Sequence, residues 1–172
     1  LTGYYNNVPI SRLYRNNGTN TFTEQTSISF EGVYTSTVAW GDYDNDGYSD
    51  ILIAGRTINN DYITNIYRNN GDNTFTEQSG ISLQGVSLGS VAWGDYDNDG
   101  DLDILLTGIN NSGVPISKIY RNTGDNSFTE QTGIILKGVA NSSVAWGDYD
   151  NDGDLDFLLS GRSGTTIPEF LC

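Results

Sequence analysis

Three short stretches of the 172-residue chain concentrate carboxylates at a regular spacing. The sequence AWGDYDNDGDLD occupies residues 92–103 and again 145–156, and the variant AWGDYDNDGYSD occupies residues 39–50. Counted from its first Asp, each stretch has Asp at positions 1, 3, 5 and 9 and Gly at position 6. Alternate carboxylates converge only if the chain curls around a centre, and glycine permits the sharp turn this requires. We therefore predict three carboxylate-lined loops.

Such a loop needs a cation, because two like charges about 4 Å apart repel by roughly 4 kcal/mol at an effective dielectric constant near 20. A set of solvated acidic turns is the competing interpretation. Calcium fits best, since it accepts about six to eight oxygen ligands in flexible geometry. Magnesium requires a tight octahedron, and zinc prefers His or Cys. The spacing therefore predicts calcium.

We expect three Ca²⁺ sites per chain, each using the side chains at positions 1, 3, 5 and 9 and the backbone carbonyl at position 7. The predicted ligands are Asp42, Asp44, Asp46, Tyr48 and Asp50 in the first loop, Asp95, Asp97, Asp99, Asp101 and Asp103 in the second, and Asp148, Asp150, Asp152, Asp154 and Asp156 in the third. The loops differ from an EF-hand, because Ile53, Leu106 and Leu159 stand at position 12, where an EF-hand carries Glu.

The charge balance and the residue types limit the classes of function. The chain has 22 acidic and 8 basic residues and a formal net charge of −14, which disfavours nucleic acids and anionic membranes as partners. No run of about 18 apolar residues predicts a spanning helix, so we expect no membrane insertion. There is no His and a single Cys, Cys172, so the familiar zinc sites and Ser-His-Asp or Cys-His catalytic groups cannot form. We expect a protein that is not an enzyme.

A repeat of 53 residues organises the chain, as the spacing of Trp40, Trp93 and Trp146 shows. Each unit has four β-rich segments, in one unit SVAWGDYD, DILLTG, ISKIYRN and SFTEQ, separated by Gly, Asn or Asp. The turn NNGDN at 69–73 predicts a tight reversal between the third and fourth strands. Four antiparallel strands repeated over roughly 40–60 residues are typical of a β-propeller blade. A β-solenoid and a string of independent modules are the competing architectures.

The phase of the repeat predicts about three blades per chain in this all-β fold. Residues 32–84 and 85–137 are complete units, residues 1–31 and 138–172 are partial blades, and residues 163–172 form an atypical tail. Propellers usually have about four to eight blades. Either the segment belongs to a longer propeller, or two copies join their partial blades into a six-bladed homodimer.

Two sets of side chains have competing interpretations. We expect the three tryptophans to pack between blades near the metal loops rather than to form sugar-stacking platforms. We expect each arginine that follows a tyrosine, namely Arg15, Arg68 and Arg121, to cover apolar surface and to pair with a nearby acid rather than to bind an anion. Glu24, Glu77 and Glu130 are candidates for that acid.

The segments SVAWGDYDNDGDLDILLTG and IYRNNGDNTFTEQ resemble the FG-GAP-like repeats of integrin α-subunit propellers and of many bacterial secreted proteins. The resemblance covers about residues 1–162 and implies calcium bound between the first two strands of each blade. The Phe-Gly and Gly-Ala-Pro motifs of the integrin form are absent, and AWGD and the GV pairs at 32–33, 85–86 and 138–139 stand where they would lie. The chain is thus more similar to the bacterial form.

Together these features predict a calcium-binding propeller that acts as a binding, adhesion or scaffold module of a secreted or cell-surface protein. Its ligand would be an unidentified protein or a glycan. The alternatives are a lectin-like propeller and the non-catalytic part of a secreted enzyme. An extracellular setting is expected because calcium modules of this type are often tuned to roughly 0.1–1 mM.

Overall fold

The computed structural model describes residues 1–164, and every helix or strand element among them is a β-strand. The strands are β1 (Thr2–Tyr5), β2 (Val8–Ser11), β3 (Tyr14–Asn16), β4 (Phe22–Glu24), β5 (Tyr34–Gly41), β6 (Asp50–Arg56), β7 (Tyr62–Asn69), β8 (Phe75–Glu77), β9 (Val86–Gly94), β10 (Asp103–Asn110), β11 (Pro115–Asn122), β12 (Phe128–Glu130), β13 (Ala140–Gly147) and β14 (Asp156–Arg162). This part of the chain has no helix long and apolar enough to cross a membrane. The predictions for the tail beyond residue 164, including Cys172, fall outside the described residues.

Two complete four-stranded antiparallel sheets form the centre of the structure. Their strand orders are β5-β6-β7-β8 and β9-β10-β11-β12, so each sheet is a simple meander. Two-stranded sheets β1-β2, β3-β4 and β13-β14 flank them. The prediction of an all-β, propeller-like fold built from repeated four-stranded units is confirmed.

The second strand of each complete sheet is its most buried element. β6 (DILIAGR) and β10 (DILLTGIN) are buried at every position except the last, as expected for an apolar strand covered on both faces. One core cluster joins the two sheets, combining Leu52 and Ile66 from one with Ile104 and Leu106 from the other. The first strands β5, β9 and β13 lie side by side, so successive blades pack face to face around them.

Two kinds of backbone position explain how the repeat folds. The turn between β7 and β8 has Gly71 at φ 76° and Asn73 at φ 65°, which confirms the predicted tight reversal. Gly85, just before β9, crosses over the preceding blade so closely that a Cβ there would lie 1.9 Å from the carbonyl oxygen of Tyr62. A residue with a side chain would therefore push adjacent blades apart.

Candidate metal centres

Each acidic loop joins the first strand of a blade to the second. The residue before position 1 pairs with the Asp at position 9, as Gly94 does with Asp103, so the loop is closed at its base by the sheet. In the first loop the chain curls at Asn45 (φ 57°) and Gly47 (φ 87°). The other two loops repeat these positive φ values at the equivalent Asn and Gly. The loops therefore curl as the sequence predicts.

The Asp at position 1 organises the curl from within. In the first loop its two carboxylate oxygens accept the backbone N–H groups of Asp46 at 3.0 Å and of Gly47 at 2.9 Å. The carboxylate of Asp46 accepts the N–H of Tyr48 at 2.9 Å. The same three bonds recur in the other loops. Each loop is thus held by its own backbone donors.

Three carboxylates converge in every loop, each offering an oxygen within 4.8 Å of the others. The converging groups are Asp42, Asp44 and Asp50 in the first loop, Asp95, Asp97 and Asp99 in the second, and Asp148, Asp150 and Asp156 in the third. The remaining predicted aspartates at positions 5 and 9, namely Asp46, Asp103 and Asp152, belong to the same loops but not to these groups.

The residues at position 7 were predicted to bind metal through their backbone carbonyls. The side chain of Tyr48 is half exposed. The side chains of Asp101 and Asp154 instead accept hydrogen bonds from the preceding loop. Their carboxylates therefore connect blades.

The electrostatics of the buried loops favour a cation. Asp44 keeps one carboxylate oxygen, Oδ1, buried without a hydrogen-bond partner. Burial, together with the charges of Asp44 and Asp46, raises the pKa of Asp50 to about 6, although backbone N–H bonds from Asn69 and Tyr43 act to lower it. Burial likewise raises the pKa of Asp103 to about 6. A buried unpaired oxygen among like charges suits a hard cation with oxygen ligands such as Ca²⁺.

Arginines from the third strands also reach the loops. Arg68 donates from Nε to Asp44 at 2.5 Å and from a terminal nitrogen to Asp46 at 2.7 Å. Arg121 approaches Asp97 at 2.7 Å and Asp99 at 2.8 Å in the same way. Each guanidinium thus holds the carboxylates at positions 3 and 5.

Arg68 and Arg121 pair with nearby acids, as predicted, but these are loop aspartates and not the candidates Glu77 and Glu130. Side chains alternate between the two faces of a strand, and Tyr67, not Arg68, lies opposite Glu77. The glutamates instead contact the residue three before each arginine: Arg12 with Glu24, Asn65 with Glu77 and Lys118 with Glu130. The carboxylate of Glu24 accepts hydrogen bonds from Arg12 and Tyr14, and Arg15 does not bond to it.

Tyrosines at position 2 stack on the tryptophan of the next blade. The rings of Tyr43 and Trp93 are 6.1 Å apart and nearly parallel, and those of Tyr96 and Trp146 are 6.4 Å apart. The prediction of packing between blades therefore holds for Trp93 and Trp146. Trp40 is 53% exposed and meets Phe75 edge-on at 6.4 Å, and no tyrosine ring of residues 1–164 stacks on it.

Comparison with known sequences gives one result that covers most of the chain. The sequence model of the FG-GAP-like repeat family matches residues 2–53, 42–106 and 107–159. No curated protein and no solved structure matches the chain. The three matched segments together contain all three acidic loops.

Proposed function

The chain belongs to the FG-GAP-like repeat family, and from that premise we propose that it is a calcium-stabilised propeller module of a secreted or cell-surface protein. The observation that carries the proposal is the convergence of three carboxylates in each of three loops of the same construction. In the first loop the buried, unpaired Oδ1 of Asp44 adds a specific site for a cation.

Calcium, when bound, would supply positive charge at the centre of each loop. The protein's own residues do the positioning. The Asp at position 1 holds the curl, the Asp at position 9 fixes the loop to the third strand, and Arg68 and Arg121 orient the carboxylates at positions 3 and 5. Binding to the folded chain alone would stabilise it by about 2.7 kcal/mol per site at a calcium concentration a hundredfold above Kd. The role is structural and non-catalytic.

Isothermal titration of the chelator-treated chain tests this proposal. We expect about three Ca²⁺ ions per chain, little competition from Mg²⁺, and the loss of one ion from each of the variants Asp42→Asn, Asp95→Asn and Asp148→Asn. These variants are matched because each removes position 1 of one loop. A chain that binds no calcium in the titration and in equilibrium dialysis would disprove the proposal.

We further propose a second copy of this chain as a partner. The two exposed rings Trp40, at 53%, and Tyr149, at 81%, are the counterparts of the Tyr43–Trp93 stack between blades. A second copy could place its Tyr149 on Trp40. Solution mass with and without calcium tests this: a dimer that Tyr149→Ala dissociates is expected, and a monomer at all concentrations would exclude it.

Carbohydrate binding is a second candidate, favoured by a cluster at the opposite end of β5 and β6 from the first loop. The guanidinium of Arg56 lies 5.6 Å from the ring centre of Tyr34 and 5.7 Å from that of Tyr62, and Tyr4 packs on Tyr34. Tyr4 is exposed while Tyr34 and Tyr62 are partly buried, and aromatic rings that water still reaches beside an arginine suit a sugar with an acidic group. Glycan-array binding that Arg56→Ile abolishes would support this, since β10 carries Ile109 at the equivalent place. An array that retains no glycan would exclude it.

A further inference from the structure

Neighbouring acidic loops touch through the asparagine at position 4. Asn45 lies between the position-3 and position-5 aspartates of the first loop, and its Nδ2 donates to Asp101 Oδ1 of the second loop at 2.7 Å. It also approaches the carbonyl oxygen of Gly100 at 3.5 Å. Asn98 repeats the bond to Asp154 of the third loop at 2.8 Å. Each link thus begins between two predicted ligands of one site and ends on the next loop.

A second link joins the first two loops. The backbone N–H of Asn122, in β11, donates to Asp103 Oδ1 at 2.8 Å, and its side-chain Nδ2 donates to the carbonyl oxygen of Tyr43 at 2.8 Å. Asn122 is buried. It therefore fixes position 9 of the second loop to position 2 of the first. Among residues 1–164, the equivalent Asn69 makes hydrogen bonds within its own blade, donating to Asp50 and Ser49.

The residue type at position 7 of each loop matches whether that loop receives an asparagine from the preceding loop. Asp101 and Asp154, whose loops receive an asparagine from the preceding loop, carry carboxylates that accept the bond. The first loop receives no such asparagine within residues 1–164, and it carries Tyr48 at this position. The position-7 carboxylate is thus present where a link ends.

We infer that adjacent metal sites of this chain are energetically coupled, so that filling one loop raises the calcium affinity of the next. The inference rests on the proposed calcium function. Fixing Asp44 and Asp46 also fixes Asn45 between them, and Asn45 in turn orders the second loop at Gly100 and Asp101. A loop that is already ordered loses less conformational freedom on binding, which gives positive cooperativity in both directions.

Glycine substitutions at position 4 test the coupling with an internal control. Asn45, Asn98 and Asn151 have φ of 57°, 58° and 60°, so glycine removes each side chain without straining the backbone. Asn151 makes no hydrogen bond to another loop within the described chain, so Asn151→Gly is the matched control for the double variant Asn45→Gly/Asn98→Gly.

Calcium titration followed by NMR of the amides of Gly47, Gly100 and Gly153 reports each loop separately. In the wild type and in Asn151→Gly, we expect the loops to fill together with a Hill coefficient above 1, equivalent to a coupling of about 5-fold or more. The double variant should still bind all three ions, with a Hill coefficient clearly below that of the wild type, since only the Asn122 link between the first two loops remains. Independent filling in the wild type, or equal loss of cooperativity in Asn151→Gly, would overturn the coupling alone, whereas absence of calcium binding would overturn the proposed function.

Discussion

The second and third acidic loops have identical sequences but different surroundings. In the second loop Asp103 is fully buried and accepts backbone N–H bonds from Tyr96 at 3.1 Å and Asn122 at 2.8 Å. In the third loop the equivalent Asp156 is partly exposed and accepts one bond, from Tyr149 at 3.2 Å, within the described chain. The same twelve residues therefore form the same curl in two environments.

This difference separates what the loop encodes from what its neighbours add. The curl and its internal hydrogen bonds recur in both loops, so they come from the local sequence. The burial that raises the pKa of Asp103 comes from packing, and one of the two bonds to its carboxylate comes from Asn122 of β11. A metal loop of this kind is formed locally and stabilised by the blade around it.

The largest difference is expected for the tyrosine at position 2. Tyr43 is buried between Trp93 and Phe128, whereas Tyr149 is 81% exposed. Tyr43→Ala should reduce the free energy of unfolding by about 3–5 kcal/mol because it leaves a large cavity. In the monomeric chain at low concentration, Tyr149→Ala should change it by less than about 0.5 kcal/mol. Urea unfolding in calcium measures both, and equal losses would contradict the difference in packing.

A smaller difference is expected at position 9. With calcium bound, the buried charge of Asp103 is compensated, and Asp103→Asn replaces one accepting oxygen by an amide NH₂ beside two backbone N–H donors, so it should cost about 2–3 kcal/mol. The Asp156 side chain accepts one backbone N–H bond and is partly exposed to water. Asp156→Asn should therefore lower the free energy of unfolding by only about 1 kcal/mol. Urea unfolding at saturating calcium, where the metal compensates the loop charge, measures both losses. A larger loss of stability for Asp156→Asn than for Asp103→Asn would show that the bond from Asn122 of β11 does not stabilise the second loop.

The glycine before each loop gives a third comparison. A Cβ at Gly94 would lie 2.6 Å from Trp146, while a Cβ at Gly147 would meet nothing within 4 Å. Gly94→Ala should therefore cost about 1–3 kcal/mol by forcing the indole away. In the monomeric chain, Gly147→Ala should change stability by less than about 0.5 kcal/mol. Thermal unfolding of the two variants checks this, and an unaffected Gly94→Ala would mean that the Tyr96–Trp146 stack is loosely packed.

The smallest effect is expected at Arg121, which contacts the second loop only. The Arg121 side chain is 44% exposed, so water screens its ion pairs with Asp97 and Asp99 and they contribute little to stability. Arg121→Gln should therefore leave unfolding almost unchanged but disturb calcium binding at the second loop. NMR of Gly100 and Gly153 during titration compares that loop with the third, and an equal change at both glycines would contradict a local role.

The sequence predicts the strands, the turns and the curl well, because these depend on local patterns. The 53-residue repeat and the Asn and Gly positions indicate the meander of four strands before any contact is known. Glu77 was the wrong candidate for the acid that pairs with Arg68, because the partner depends on which face of β7 the arginine side chain occupies. The bond from Asn45 to Asp101 depends on how blades stack, which a repeat period alone does not specify.

Thermal unfolding of the intact chain with and without calcium tests the central claim most directly. If the acidic loops are structural calcium sites, calcium at about a hundredfold above Kd should raise Tm by at least ~5 °C relative to chelator, and magnesium should not replace it. The same Tm in calcium and in chelator would contradict the account, however closely the carboxylates converge.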